Sequence, residues 1–196
     1  MITTINNKLI RSFRPCYNPS KYIDETENLP IKQGIKKYRG IVPAKDILWL
    51  LCRNEFLSDR DLRLFAVWCA REALKLVDNP DQRSVAACDV AERYANGEAT
   101  KEDLAAAATA ASAAWAADAA AATAAWAAAD ADAEAAAAWA AAAWAAAAAW
   151  AAANADADAE ADAEAAANAD ADAEAAADAE AAAAWEKQLD KLITYF

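Results

Sequence analysis

Apolar positions recur at helical spacing along much of this chain, and the breaks between them mark its elements. Residues 1–42 are the exception. Pro15, Pro19, Pro30, Gly34 and Gly40 all fall there, which marks turns and short segments. From 42 to 56, "VPAKDILWLLCRNEF" opens on Pro43, a residue favoured in a helix's first turn. Ile47, Leu48, Trp49, Leu50 and Leu51 give it a wide apolar face. The next helix, "SDRDLRLFAVWCAREALKLV", has Ser58 as its cap and Asp61 three residues on. Leu62, Phe65, Cys69 and Leu76 recur on one face, with Leu64, Trp68 and Val77 widening it. "DNPDQ" breaks that helix. A third runs through Val85, Cys88, Ala91 and Tyr94 to Gly97, a left-handed stop. Thr100 and Asp103 then start another helix, with acids in the first turn where the helix dipole favours them.

That helix leads into an alanine tract. Of the 81 residues from Ala105 to Trp185, 56 are alanine, and none is Gly or Pro. Alanine has the highest helix propensity, so helix is the expectation throughout. One unbroken helix of that length would span about 120 Å, so a compact chain would fold it into hairpins. Asn154 and Asn168 are the natural corners. The hexad Ala-Asp-Ala-Asp-Ala-Glu occurs at 129–134, 155–160 and 169–174, and the last two copies follow Asn154 and Asn168, fourteen residues apart. Its period of two suggests a strand, but alanine is a poor strand residue. On a helix, residues two apart point about 200° away from each other, so the alternation gives two acidic stripes separated by two alanine faces. Such a helix can lie between two neighbours with both edges in water. Trp115 and Trp126, and Trp139 and Trp150, are each eleven residues apart and share a face, as core fillers would. The tail, "WEKQLDKLITYF", is amphipathic, with Leu189, Leu192, Ile193 and Phe196 on the side that docks back.

Charge divides the chain. Residues 1–104 hold 17 Lys/Arg and 15 Asp/Glu, whereas residues 105–196 hold 2 and 16. From Ala105 to Trp185 there are 14 acids and no base. Such a block repels nucleic acid and anionic membrane and suits a basic partner or plain solubility. The mild basic cluster Lys32, Lys36, Lys37 and Arg39 reads as a solvated face. Ala135–Ala153 has the length of a bilayer span, but it is only Ala and Trp, with acidic flanks and no Lys/Arg anchor, so no membrane segment is expected. The start lacks the apolar core of a signal peptide, and cytoplasmic residence is expected.

Candidate chemistry is sparse. The chain has no histidine, which removes the commonest general base and the usual nucleophile triads. Cys16, Cys52, Cys69 and Cys88 have no metal-site spacing and read as free thiols, three of them on apolar helix faces. Three glycines cannot build a phosphate loop. Asp-x-Asp-x-Glu resembles half a calcium loop, but on a helix its first two acids diverge and cannot share one ion. No catalytic residue, metal or cofactor is expected. What remains is the spacing of the acids. Residues 154–180 carry ten, so a helix of about 40 Å presents a charge every ~4 Å, close to the ~3.4 Å of a single nucleic-acid strand. That density is in the range that fits the basic groove of a nuclease or DNA-binding protein, although acids that only keep an alanine-rich surface soluble would give the same count.

Residues 58–117 resemble the alanine-rich immunity-protein family linked to bacterial polymorphic toxin systems, which also has relatives in phage genomes. The shared pattern is Arg63-Leu64-Phe65-Ala66, Cys69-Ala70-Arg71, Arg83-Ser84-Val85, then Ala91-Glu92-Arg93-Tyr94-Ala95 with Gly97, and Thr100 before a run of alanine units. The resemblance covers about residues 45–150. It implies an immunity or counter-defence role and no catalytic residues. Relatives often mix Arg into the repeats; here the tract has none.

The expected fold is therefore all-α: an array of antiparallel alanine-rich helices, with solenoid-like layering one form open to it, packed on an N-terminal helical region. The expected division is an irregular segment at 1–42, a helical region at 43–104, an acidic alanine-rich repeat region at 105–185 and an amphipathic helix at 186–196. The expected function is non-catalytic binding of a protein, such as a basic toxin or nuclease, through Asp156, Asp158, Glu160, Asp170, Asp172 and Glu174, without direct binding of nucleic acid. The alternative is a structural or phage-associated helical protein whose acids only face solvent.

Overall fold

A computed structural model describes residues 1–77, 79–112 and 166–196, with side chains up to residue 111 and again from 177. The described residues form a mostly helical protein with one small sheet. Strand β1 (Thr4–Asn6) runs into helix α1 (Asn7–Ser12); a 3₁₀ turn (Pro19–Lys21) and strand β2 (Asn28–Pro30) precede α2 (Ile31–Tyr38). Next come α3 (Ala44–Leu51), α4 (Asp59–Leu74), α5 (Gln82–Ala95) and α6 (Lys101–Ser112). The last element is α7 (Ala166–Ile193). The layered packing foreseen for the alanine tract, its Asn154 corner, its five inner tryptophans and the span-length run Ala135–Ala153 all lie outside the described residues. The other expected corner, Asn168, is no corner: it lies within the first turn of α7, where alanine-rich helix propensity on both sides carries the helix through it.

Residues 1–42 fold through local hydrogen bonds. β1 and β2 pair antiparallel, Ile5 opposite Leu29. Asn7 is buried, and its amide donates to the Ile23 carbonyl at 2.9 Å and to Ser20 Oγ at 3.2 Å. Its own carbonyl accepts from Arg11 Nε at 2.7 Å, so none of its polar atoms is left dry and unpaired. Gly34 sits inside α2 where β1 comes closest. A Cβ there would lie 2.3 Å from Ile5 Cδ1. Close packing of the helix on the strand thus outweighs the helix-propensity cost of glycine.

Helix limits follow from their caps. Pro43 is the N-cap of α3, one residue ahead of its first turn. The helix stops at Leu51, because Cys52 leaves helical geometry and a turn follows in which the Phe56 and Leu57 amides both donate to the Arg53 carbonyl. Ser58 Oγ accepts from the Asp61 amide at 3.1 Å. Thr100 and Asp103 cap α6 reciprocally, the Asp103 amide to Thr100 Oγ1 at 3.1 Å and the Thr100 amide to Asp103 Oδ2 at 2.9 Å. Helix α5 ends in a Schellman motif. Gly97 has φ +77°, its amide donates to the Tyr94 carbonyl at 3.0 Å, and the Glu98 amide donates to that of Arg93 at 2.7 Å.

One hydrophobic core joins segments from both ends of the chain. It takes Ile5, Ile10, Ile31 and Ile35 from the N-terminal elements, and Leu48, Leu51 and Phe56 from α3 and its turn. Leu62, Phe65, Cys69, Cys88 and Ala91 come from α4 and α5, Leu104 and Ala111 from α6, and Ala184, Leu189 and Leu192 from α7. Ile193 and Phe196 pack against it, half-buried. Helices α4, α5 and α6 pack in succession, while α7 lies on α3 and α4. Two positions assigned from spacing to apolar faces turn out exposed. Leu76 is 42% exposed because α4 ends two residues before it, and Trp49 is 37% exposed because it stands on the one outward strip of α3.

Candidate interaction surface

The six acids singled out in the sequence fall at the edge of what the structure describes. Asp156, Asp158 and Glu160 lie outside the described residues. Asp170, Asp172 and Glu174 lie on helix α7, with only their backbone described. The structure therefore does not bring the two groups together or separate them. It does show how the acidic stretch is held. On the entry side, α6 is capped at Thr100 and anchored by buried Leu104 and Ala111. On the exit side, α7 is anchored by Ala184, Leu189 and Leu192, with Gln188 fully buried beside them.

Ion pairs reinforce the exit. Arg39, following α2, pairs with Glu186 at 2.7 Å and Asp190 at 2.5 Å. The hydrogen bond from Arg39 holds the Asp190 carboxyl below its ordinary range. Lys187 reaches Glu72 of α4 at 2.6 Å, and Lys75 reaches the same carboxylate at 2.5 Å. Burial alone would raise the pKa of Glu72, but the hydrogen bonds and charges of Lys187 and Lys75 together outweigh it and hold the group below its ordinary value. Lys191 stands over the rings of Trp68 and Tyr195, at 6.0 and 5.3 Å. The acids of α7 thus fall into two sets. Glu186 and Asp190 are engaged with Arg39, whereas Asp178 and Glu180, about two turns further toward the tract, are exposed and form no ion pair among the described residues. Sequence reasoning passed over Asp178 and Glu180, although they continue the same acidic run.

A second exposed feature lies on α3. Lys45, Trp49 and Arg53 follow at i, i+4 and i+8, one strip along the helix and the turn after it. The Arg53 guanidinium lies 4.4 Å from the Trp49 ring centroid and 4.8 Å from that of Phe13, and Phe13 packs on Phe56 at 5.8 Å. Ile41, 56% exposed, precedes the strip. A groove of about 490 Å³ lies between the Lys45 end of the strip and α7, lined by Ile41, Pro43 and Lys45 on one side and by Asp178, Ala182 and Trp185 on the other. The aromatic–basic spacing is visible in the sequence; its exposure is not, since Trp49 sits among leucines.

Three of the four thiols are core groups. Desolvation raises the Cys69 thiol well above its ordinary value and pushes Cys88 up to about 12, so both are protonated at neutral pH. Burial, aided by Asp46, raises Tyr17 to about 12. Cys16 is exposed, whereas Cys52, Cys69 and Cys88 are buried, and none of the four is in a disulfide. Among the described residues no group of three or more Cys, Asp or Glu is placed to hold a metal ion, and no helix is long and apolar enough to cross a membrane. No family model, curated protein or solved structure matches the chain.

Proposed function

We propose that this chain is a non-catalytic protein-binding factor, an immunity or counter-defence protein that presents an acidic helical surface to a basic toxin or nuclease. One observation carries the reading. The base-free acidic stretch leaves and re-enters a single core, through α6 and α7, and Asp178 and Glu180, just beyond the anchored end of α7, are exposed and form no ion pair among the described residues. A domain that fixes both ends of such a stretch reduces the conformational freedom lost on binding, compared with a free tail. Fourteen acids without an intervening base supply the charge that steers a basic partner to it.

The test is capture from host lysate at low and high salt. Electrostatic capture predicts release at about 1 M salt, where the screening length falls to ~3 Å. It also predicts loss of the partner when Asp156, Asp158, Glu160, Asp170, Asp172 and Glu174 are replaced by Asn and Gln. A partner retained through both treatments would show that the acids are not the binding surface. No specific partner at any salt would favour the structural, phage-associated alternative.

A further inference from the structure

We propose that the Lys45–Trp49–Arg53 strip of α3, with Ile41 beside it, is a second interaction surface, and that it takes the acidic start of α7 from a second copy of this chain. The inference does not rest on the toxin-binding reading, although it engages acids of the same helix: it is read from self-association of the chain, which no toxin is needed to test.

The strip has the composition of a binding hot spot: a tryptophan, an arginine and a lysine in line, with an exposed isoleucine at one end. Of the four large apolar side chains exposed among the described residues, Ile41 and Trp49 both belong to it. Arg53 is already held between the rings of Phe13 and Trp49, so this part of the surface is ordered before anything binds. Residues 1–57 carry ten Lys/Arg against five Asp/Glu, so the strip lies in the basic part of the chain.

The complementary chemistry is an acidic helix with small apolar residues between its charges. A carboxylate would meet Lys45, and alanine methyls would let the helix approach Trp49 and Ile41 closely. This chain makes such a helix. The segment Ala166–Glu180 of α7 holds five acids and no base, and at its described end Asp178, Glu180, Ala182 and Ala183 are exposed. Position selects a second copy as the source. Ile41 and Lys45, at the start of the strip, lie across a groove from Asp178 and Ala182 of the acidic helix. Donor and acceptor therefore sit side by side on one face of the molecule. A two-fold axis along that groove sets the α7 of each copy on the α3 of the other, making the contact twice in a closed dimer. The net charge of −12 on each copy opposes the approach, so the dimer is weak and depends on salt through both terms.

Sedimentation velocity of the full chain, from about 10 to 200 µM at ~50 and ~500 mM NaCl, tests this. The expected result is a dimer at low salt and the upper concentrations that dissociates at high salt. Trp49→Ala and Lys45→Glu should each weaken it by about tenfold or more while leaving the circular dichroism spectrum unchanged, since both side chains are exposed. Combining Lys45→Glu with Asp178→Lys and Glu180→Lys should restore association lost in Lys45→Glu alone. A chain that sediments as a monomer under every condition overturns the proposal. So does a dimer indifferent to both single substitutions.

Discussion

Leu189→Ala tests whether the C-terminal helix belongs to the core or only rests on it. Leu189 and Leu192 are both 0% exposed and lie in one apolar cluster with Leu51, Phe65 and Cys69. Truncating a leucine so fully enclosed removes its transfer free energy and leaves a cavity, together about 3–5 kcal/mol. A domain of this size is stable by roughly 5–15 kcal/mol, so the loss is a large share of the total. With an m value of about 2 kcal/mol per molar urea, the unfolding midpoint should drop by ~1.5–2.5 M. The place where protection is lost matters more than its size. Hydrogen exchange read by mass spectrometry should show α3, α4 and α5 exchanging faster together with α7, because all of them close on the same core. Exchange that rises only over residues 184–196, with the urea midpoint of the rest unmoved, would refute the reasoning and make α7 an appendage.

Three further outcomes follow from individual contacts. Glu72→Gln should cost about 1 kcal/mol at pH 7, the lysine ends being more than half exposed and screened. Since the folded pKa of Glu72 lies below the ordinary 4.5, its contribution is complete above that value and fades as pH falls through the depressed one. Urea midpoints of wild type and variant should therefore converge in acid; a gap that persists at pH 2–3 would point to packing instead. Gly34→Ala should destabilise the chain by about 0–2 kcal/mol, overpacking against Ile5 outweighing the helix-propensity gain. In an Ile5→Ala background the same change should be stabilising, and a cycle without coupling would mean that the two do not touch. Finally, a thiol reagent added to native protein should modify Cys16 alone, with Cys52, Cys69 and Cys88 reacting only on unfolding; prompt reaction of two or more thiols would contradict the burial.

Much of the helical frame was legible because its signals are local. Ser58, Gly97 and the Thr100–Asp103 pair act on backbone groups within a few residues, so the type of residue and its spacing suffice to locate them. The docking side of the last helix was equally plain, since Leu189 and Leu192 repeat at helical spacing amid charges. Trp49 and Leu76 were misplaced for one reason. An apolar residue beside a helical stripe looks buried in sequence, but its exposure depends on where the helix ends and which strip a neighbour leaves open. The pairing of β1 with β2 was not foreseen either, because two strands of three residues carry too little pattern to distinguish from turns.

The sequence by itself determined the predominance of helix, the separation of basic and acidic halves, and the absence of histidine. The first follows from propensity summed over many residues, and the other two are counts that no packing can alter. Only the tertiary structure decided that residues 1–42, the central helices and α7 share one core. It also decided that Arg39 and Glu186, 147 residues apart, meet at 2.7 Å, and that Glu186 and Asp190 are engaged while Asp178 and Glu180 face solvent. Such contacts depend on how the helices dock, and docking is set by the fit of whole faces across the chain. A carboxylate engaged at an anchor and one left in water look identical in a run of alanine and aspartate.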